Sequence, residues 1–199
     1  MRLATVILLI ALGATICHAQ SDLKKFPFIN DDTKHYNAEI VSFSPGEIYV
    51  VWSKYEFTGR ANFLMHKSTD DGATWTSLGI VYDTLVAGMT EDPYKGATLI
   101  KGANNRLLLF IKMGYDWSTI FKYSDDGGIT WSANRMLNLL GPPIFYPDDS
   151  RLSSAIHQGN GKILVYTQRR IALSNRFTVS TDNGNTWSSP SILPTSFLE

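Results

Sequence analysis

Apolar residues in this chain come in short runs separated by polar stretches rich in Gly, Asn, Asp and Ser, a pattern that predicts strands and turns. The alternating segment Ala38–Phe43 predicts a strand, Ser44-Pro45-Gly46 a turn, and Glu47–Trp52 a second strand. Ala61–Lys67 and Trp75–Val81 complete a set of four. The order then recurs: Ala97–Ile100, a turn over Gly102–Arg106, Leu107–Ile111 and Ser118–Tyr123. It recurs again over Leu152–His157, the turn Gln158–Gly161, Ile163–Tyr166 and Arg176–Val179. The second strand of each set is apolar on both faces, as expected of a strand sandwiched between neighbouring sheets. No amphipathic helical pattern interrupts the series.

Each third strand runs into the same octapeptide. Ser68-Thr69-Asp70-Asp71-Gly72-Ala73-Thr74-Trp75, Ser124-Asp125-Asp126-Gly127-Gly128-Ile129-Thr130-Trp131 and Ser180-Thr181-Asp182-Asn183-Gly184-Asn185-Thr186-Trp187 all read Ser-x-Asp-x-Gly-x-Thr-Trp, at an interval of 56 residues. A fixed interval marks a repeating structural unit. Within it, an Asp carboxylate accepts from backbone amides a few residues on, and Gly supplies the positive φ that strains a residue with a Cβ. Thr and Trp then suit the start of the next strand. These octapeptides resemble the Asp boxes, or BNR repeats, of the sialidase (neuraminidase) superfamily. The resemblance implies an all-β fold: a sialidase-like β-propeller with about three four-stranded blades, each box capping the outer turn between third and fourth strands. It also implies that Asp70, Asp126 and Asp182 are structural. Sialidase-like propellers close with six blades, so the expected domain at 36–199 is a partial ring. Such a chain is either a piece of a longer protein or one that completes its ring with a second chain; a compact three-blade fold is the remaining option.

Ahead of the repeats, Arg2 followed by the apolar run Leu3–Ile16 and Cys17-His18-Ala19 has the form of a signal peptide over residues 1–19, cleaved after Ala19. The run is short for a membrane span, which needs about 20 residues. The expectation is a secreted or periplasmic protein, not membrane-bound after cleavage, with an N-terminal arm over 20–35. Cys17 is the only cysteine, which leaves the mature chain without disulfides, thiolate metal sites or a cysteine nucleophile. Lys and Arg total 18 against 18 Asp and Glu, and loss of Arg2 with the leader tips the balance by one negative charge. A nucleic-acid partner, which favours a basic excess, is not expected.

Candidate chemistry follows from the resemblance. Sialidases bind the substrate carboxylate with three arginines, use an Asp as acid/base, and use a Tyr paired with a Glu as nucleophile; guanidinium forks suit a planar carboxylate because they bond it bidentately. The family's first arginine lies about ten residues before the Gly of the following turn. Tyr36 occupies that place before Gly46, Lys95 before Asn105, the matching turn position of the second repeat, and Arg151 before Gly161. The strand after it ends in Gln168-Arg169-Arg170, similar to the family's Glu-x-Arg. Arg151 and Arg170 are therefore the expected substrate-binding pair, with surface ion pairing to Asp148 or Asp149 as the alternative. The acid/base carboxylate expected between Arg170 and the last octapeptide is absent from Ile171–Val179, so the catalytic residues stay unassigned. Glu91-Asp92 and Asp148-Asp149 precede inner strands and are either general acids or solvated caps. Tyr36, Tyr115, Tyr146 and Tyr166 are read as packing residues. Trp52, Tyr115, Trp117 and Phe145 are sugar-stacking or core aromatics. His35, His66 and His157 lack metal-ligand spacing, and neither a phosphate-binding loop nor Gly-x-Ser-x-Gly occurs, so no metal or cofactor is expected. The resemblance implies an exo-sialidase-type glycoside hydrolase acting on sialylated glycans. The alternatives are a non-catalytic BNR-repeat propeller binding carbohydrate or protein, and a hydrolase of neutral polysaccharide.

Overall fold

The computed structural model describes residues 34–55, 60–85, 96–112, 119–137, 150–169 and 176–192. They form three antiparallel sheets of four strands: β1 (Lys34–Ser44), β2 (Glu47–Tyr55), β3 (Arg60–Ser68) and β4 (Thr76–Leu85); β5 (Ala97–Lys101), β6 (Leu107–Lys112), β7 (Thr119–Ser124) and β8 (Arg135–Leu137); β9 (Ser150–Gly159), β10 (Lys162–Arg169), β11 (Arg176–Ser180) and β12 (Ser191–Ile192). Within each sheet the strands lie in chain order. The first strands β1, β5 and β9 neighbour one another in turn. Three such sheets sharing an inner edge are blades of a β-propeller.

The strands cover the hydrophobic runs, and several extend past them. In the first blade β1 begins at Lys34 and β4 continues to Leu85, beyond the alternating pattern. The β3–β4 ladder breaks register between Phe63 and Leu64 and between Met65 and His66, opposite a Gly79 with φ of 80°. Those bulges return Val81 and Tyr82 to the core. By contrast β8 and β12 hold only three and two residues. Met136 and Ile192 on them are exposed, and short outer strands present little free edge for unwanted pairing.

Packing explains why the second strands are apolar on both faces. Leu107, Leu109 and Ile111 of β6 face the first blade and join Tyr49, Val51, Phe63 and Met65 in one core. Leu108 and Phe110, on the other face, meet Ile163 and Val165 of the third blade in a second core. Each of these five β6 side chains is at most 1% exposed. At about 1.5–3 kcal/mol per buried large apolar side chain, β6 is the strand on which both interfaces depend. Trp187 closes the second core edge-on to Phe110 and Phe121, with ring centroids 5.9 and 5.5 Å apart.

Candidate functional site

The three octapeptides share one hydrogen-bond network from Ser to Thr. Each serine hydroxyl is buried, donates to the Asp two residues on, and accepts from the Gly amide four residues on: Ser124 Oγ reaches Asp126 Oδ1 at 2.7 Å and receives Gly128 N at 2.8 Å. The corresponding distances are both 2.8 Å at Ser68 and at Ser180. Each Asp then accepts from the amide and hydroxyl of the Thr four residues on, as Asp70 does from Thr74 at 2.8 and 2.6 Å. Asp126 and Asp182 repeat these bonds with Thr130 and Thr186. The threonine hydroxyl foremost, then its amide, pulls all three carboxyls down to about 2, so they are fully bonded acceptors and poor proton donors. The first two indoles close their own turns, Trp75 Nε1 donating to Gly72 O and Trp131 Nε1 to Gly128 O. Trp131 and Trp187 also pack against the first and second cores, and the buried Nε1 of Trp187 has no hydrogen-bond partner among the described residues.

These turns also tie neighbouring blades together. Asn183 Oδ1 accepts from Ala103 N at 2.9 Å and its Nδ2 donates to Ala103 O at 3.0 Å, an amide pair between the third and second blades. Arg106 forks onto Asp125 at 2.6 and 2.9 Å, stacks 4.1 Å from the Tyr123 ring centroid, and donates to Asn185 Oδ1 at 2.9 Å. Between the first two blades, Glu47 bridges Lys101 and Lys67 at 2.9 and 3.1 Å. The Lys101 bond is the largest cause holding its carboxyl down near 2. Lys122 Nζ donates to Val81 O at 2.9 Å across the same interface. The octapeptide end of the sheets is thus built as scaffold.

The register pairs Arg151 with Gln168 near the start of β9, the end away from the Gly159–Lys162 turn. Arg170, Asp148, Asp149, Glu91, Asp92, Lys95, Tyr115, Trp117, Phe145 and Tyr146 lie outside the described residues. Tyr36 sits in β1 opposite Ser53. Trp52 is buried with its ring tilted against that of His66, centroids 4.7 Å apart, and burial lowers the imidazole's affinity for protons. Among the described residues no group of three His, Cys, Asp or Glu could hold a metal ion.

The structure adds one residue that the pattern did not single out. Glu39, Thr98 and Ser154 stand opposite Val51, Phe110 and Tyr166, equivalent positions on the second strands, so they form a polar rung across the three innermost strands. Glu39 Oε1 accepts from Leu99 N of the next blade at 3.3 Å. Burial pushes its carboxyl up, against smaller opposing bonds from Leu99 and Thr98. A carboxyl that keeps its proton more readily than usual, on the innermost strand, has the character of a general acid. Its partner lies 60 residues away, so no local motif announces it.

Four-stranded blades stepped around a shared inner edge, scaffolded by the octapeptide turns, make this a sialidase-like β-propeller protein. A model of the BNR repeat-like domain matches residues 28–197, and the chain belongs to that family. Among solved structures, a protein of unknown function from Dyadobacter fermentans aligns with a TM-score of 0.57 at 17% identity, over 83% of this chain and 57% of its own. A Hadza microbial sialidase aligns with a TM-score of 0.51 at 14% identity, over 79% of this chain and 33% of its own. The catalytic domain of a Coprinopsis cinerea GH62 α-L-arabinofuranosidase gives 0.52 at 14%, over 79% of this chain and 50% of its own. The chain thus spans between a third and just over half of these relatives, which share its fold. A comparison with curated proteins finds no match.

Proposed function

We propose that the protein is a secreted, exo-sialidase-type glycoside hydrolase acting on sialylated glycans, that its octapeptide turns are Asp boxes, and that it grips the substrate carboxylate at the strand ends opposite them. The observation that carries this reading is the register of Arg151, near the head of the innermost strand β9 and away from the octapeptides. Arg170, just past the end of β10, is the proposed second arginine. Paired guanidinium groups hold a carboxylate with charge-assisted bonds roughly twice as strong as neutral ones. Glu39, whose carboxyl burial pushes upward, is the proposed acid on the same inner edge. The test is turnover of a fluorogenic sialoside by the secreted protein, with calorimetric titration of sialyllactose. Arg151→Ala is expected to abolish binding and Arg151→Lys to restore only part of it, because an ammonium lacks the fork. Unchanged sialyllactose affinity in Arg151→Ala would remove the reading.

A second reading is favoured by two observations: Ile171–Val179 carries no carboxylate, and the octapeptide aspartates are occupied by their own turns. Under it the protein is a non-catalytic propeller that binds carbohydrate. Saturable, Arg151-dependent sialyllactose binding without turnover would select it.

A further inference from the structure

The chain contains two Asn-Gly pairs, Asn160-Gly161 and Asn183-Gly184, both with the asparagine in the left-handed region at φ of 49° and 60°. Their surroundings are opposite. Asn183 is locked through its side chain to Ala103 N and O, and the Gly184 amide that follows it donates to Ser180 Oγ at 2.8 Å. Asn160 occupies the two-residue turn between β9 and β10, with Gly161 at φ of 72°, the pairing that a type I′ hairpin requires. It is exposed, and its side chain makes no hydrogen bond among the described residues. The Gly161 amide that follows it donates to His157 Nε2 at 3.2 Å. The amide nitrogen next to the free asparagine thus faces an imidazole, whereas the one next to the locked asparagine faces a hydroxyl already committed to Asp182.

We propose that Asn160 is a self-modifying site, deamidated through a succinimide with His157 as the base. His157 Nε2 takes the Gly161 N–H proton, and the nitrogen attacks Asn160 Cγ to form the new C–N bond. The Cγ–Nδ2 bond breaks as the imidazolium returns its proton, and ammonia leaves. Water then adds to one of the two imide carbonyls, giving aspartate or isoaspartate at position 160. Isoaspartate inserts an extra methylene into the main chain of the β9–β10 turn. The Gly161 carbonyl in that turn accepts from Asn183 N at 2.8 Å, so the reaction loosens the inner hairpin's tie to the last octapeptide.

The experiment is peptide mapping by mass spectrometry, with isoaspartyl methyltransferase labelling, of the full chain aged in buffer and in urea. In buffer, acid forms should accumulate at residue 160 while Asn183 stays an amide; in urea both should convert at similar rates. His157→Gln, which keeps an acceptor but not a base, should slow conversion at 160 several-fold in buffer and leave the urea rate unchanged. Conversion at 160 that is slower in buffer than in urea and no faster than at Asn183 overturns the proposal by itself. So does an unaltered buffer rate in a folded His157→Gln protein.

Discussion

Ser124→Ala removes a single oxygen from the centre of the second octapeptide turn. The hydroxyl is 1% exposed, bonds a carboxylate at 2.7 Å, and is the acceptor for Gly128 N, itself buried. A bond to a charged group contributes about 1.5–3 kcal/mol and an orphaned buried N–H costs about 1–3 kcal/mol. Asp126 is solvent-facing and recovers part of its loss from water, whereas Gly128 N does not, so the expected destabilisation is roughly 2–4 kcal/mol. For a chain of this size each kcal/mol lowers Tm by about 2–4 °C, which predicts a fall of roughly 5–15 °C. Thermal and urea unfolding followed by circular dichroism measure it, with the exposed Ser42→Ala as control. A loss no larger than the control's, within about 0.5 kcal/mol for an exposed site, refutes the view that these hydroxyls hold the turns together.

Gly184→Ala places a Cβ 2.5 Å from Leu108 Cδ2 of the second blade at a backbone φ of 84°; overpacking alone costs about 1–3 kcal/mol, and urea unfolding should show at least that loss. Asp70, Asp126, Asp182 and Glu47 have folded-state carboxyls lowered to about 2, below the ordinary 3.8 of Asp and 4.5 of Glu. Their contribution to stability is complete above those ordinary values and drains away as pH falls toward 2, so an acid titration of Tm should drop steeply across that window and less steeply in Asp126→Asn. Glu39 runs the other way: its raised carboxyl makes ionisation unfavourable in the folded state, so its effect opposes stability as pH climbs past 4.5. Glu39→Gln should hold or raise Tm at pH 7, and a lower Tm there would contradict the role of burial; under the proposed function the same variant should lose turnover and keep sialyllactose binding.

What the sequence disclosed was local. The octapeptide networks join residues at most four apart, so the composition of Ser68–Trp75 already implied its turn. Leu107–Ile111 is apolar at every position because blades pack on both of its faces, and that too is legible without coordinates. What escaped was non-local. Glu39 bonds Leu99, and Asn183 clamps Ala103 across 80 residues, pairings that only the stacking of blades creates. The bulges opposite Gly79 shift the first ladder by single residues, which periodicity alone does not register. Arg151 was suggested by the family resemblance alone, and the β9–β10 register gives only its backbone position, opposite Gln168 at the strand end away from the turn.

The claim beneath all of this is that three equivalent sheets are arrayed around one axis. Spin labels on cysteines replacing the exposed, equivalent residues Ala73, Ile129 and Asn185, in a chain with Cys17 changed to Ser, report it directly through pulsed electron-spin distances. Blades on an arc predict equal distances for 73–129 and 129–185, and a 73–185 distance longer than either but clearly shorter than their sum. Unequal first distances, or a third equal to the sum of the other two, would describe sheets that are not disposed about an axis and would contradict the account.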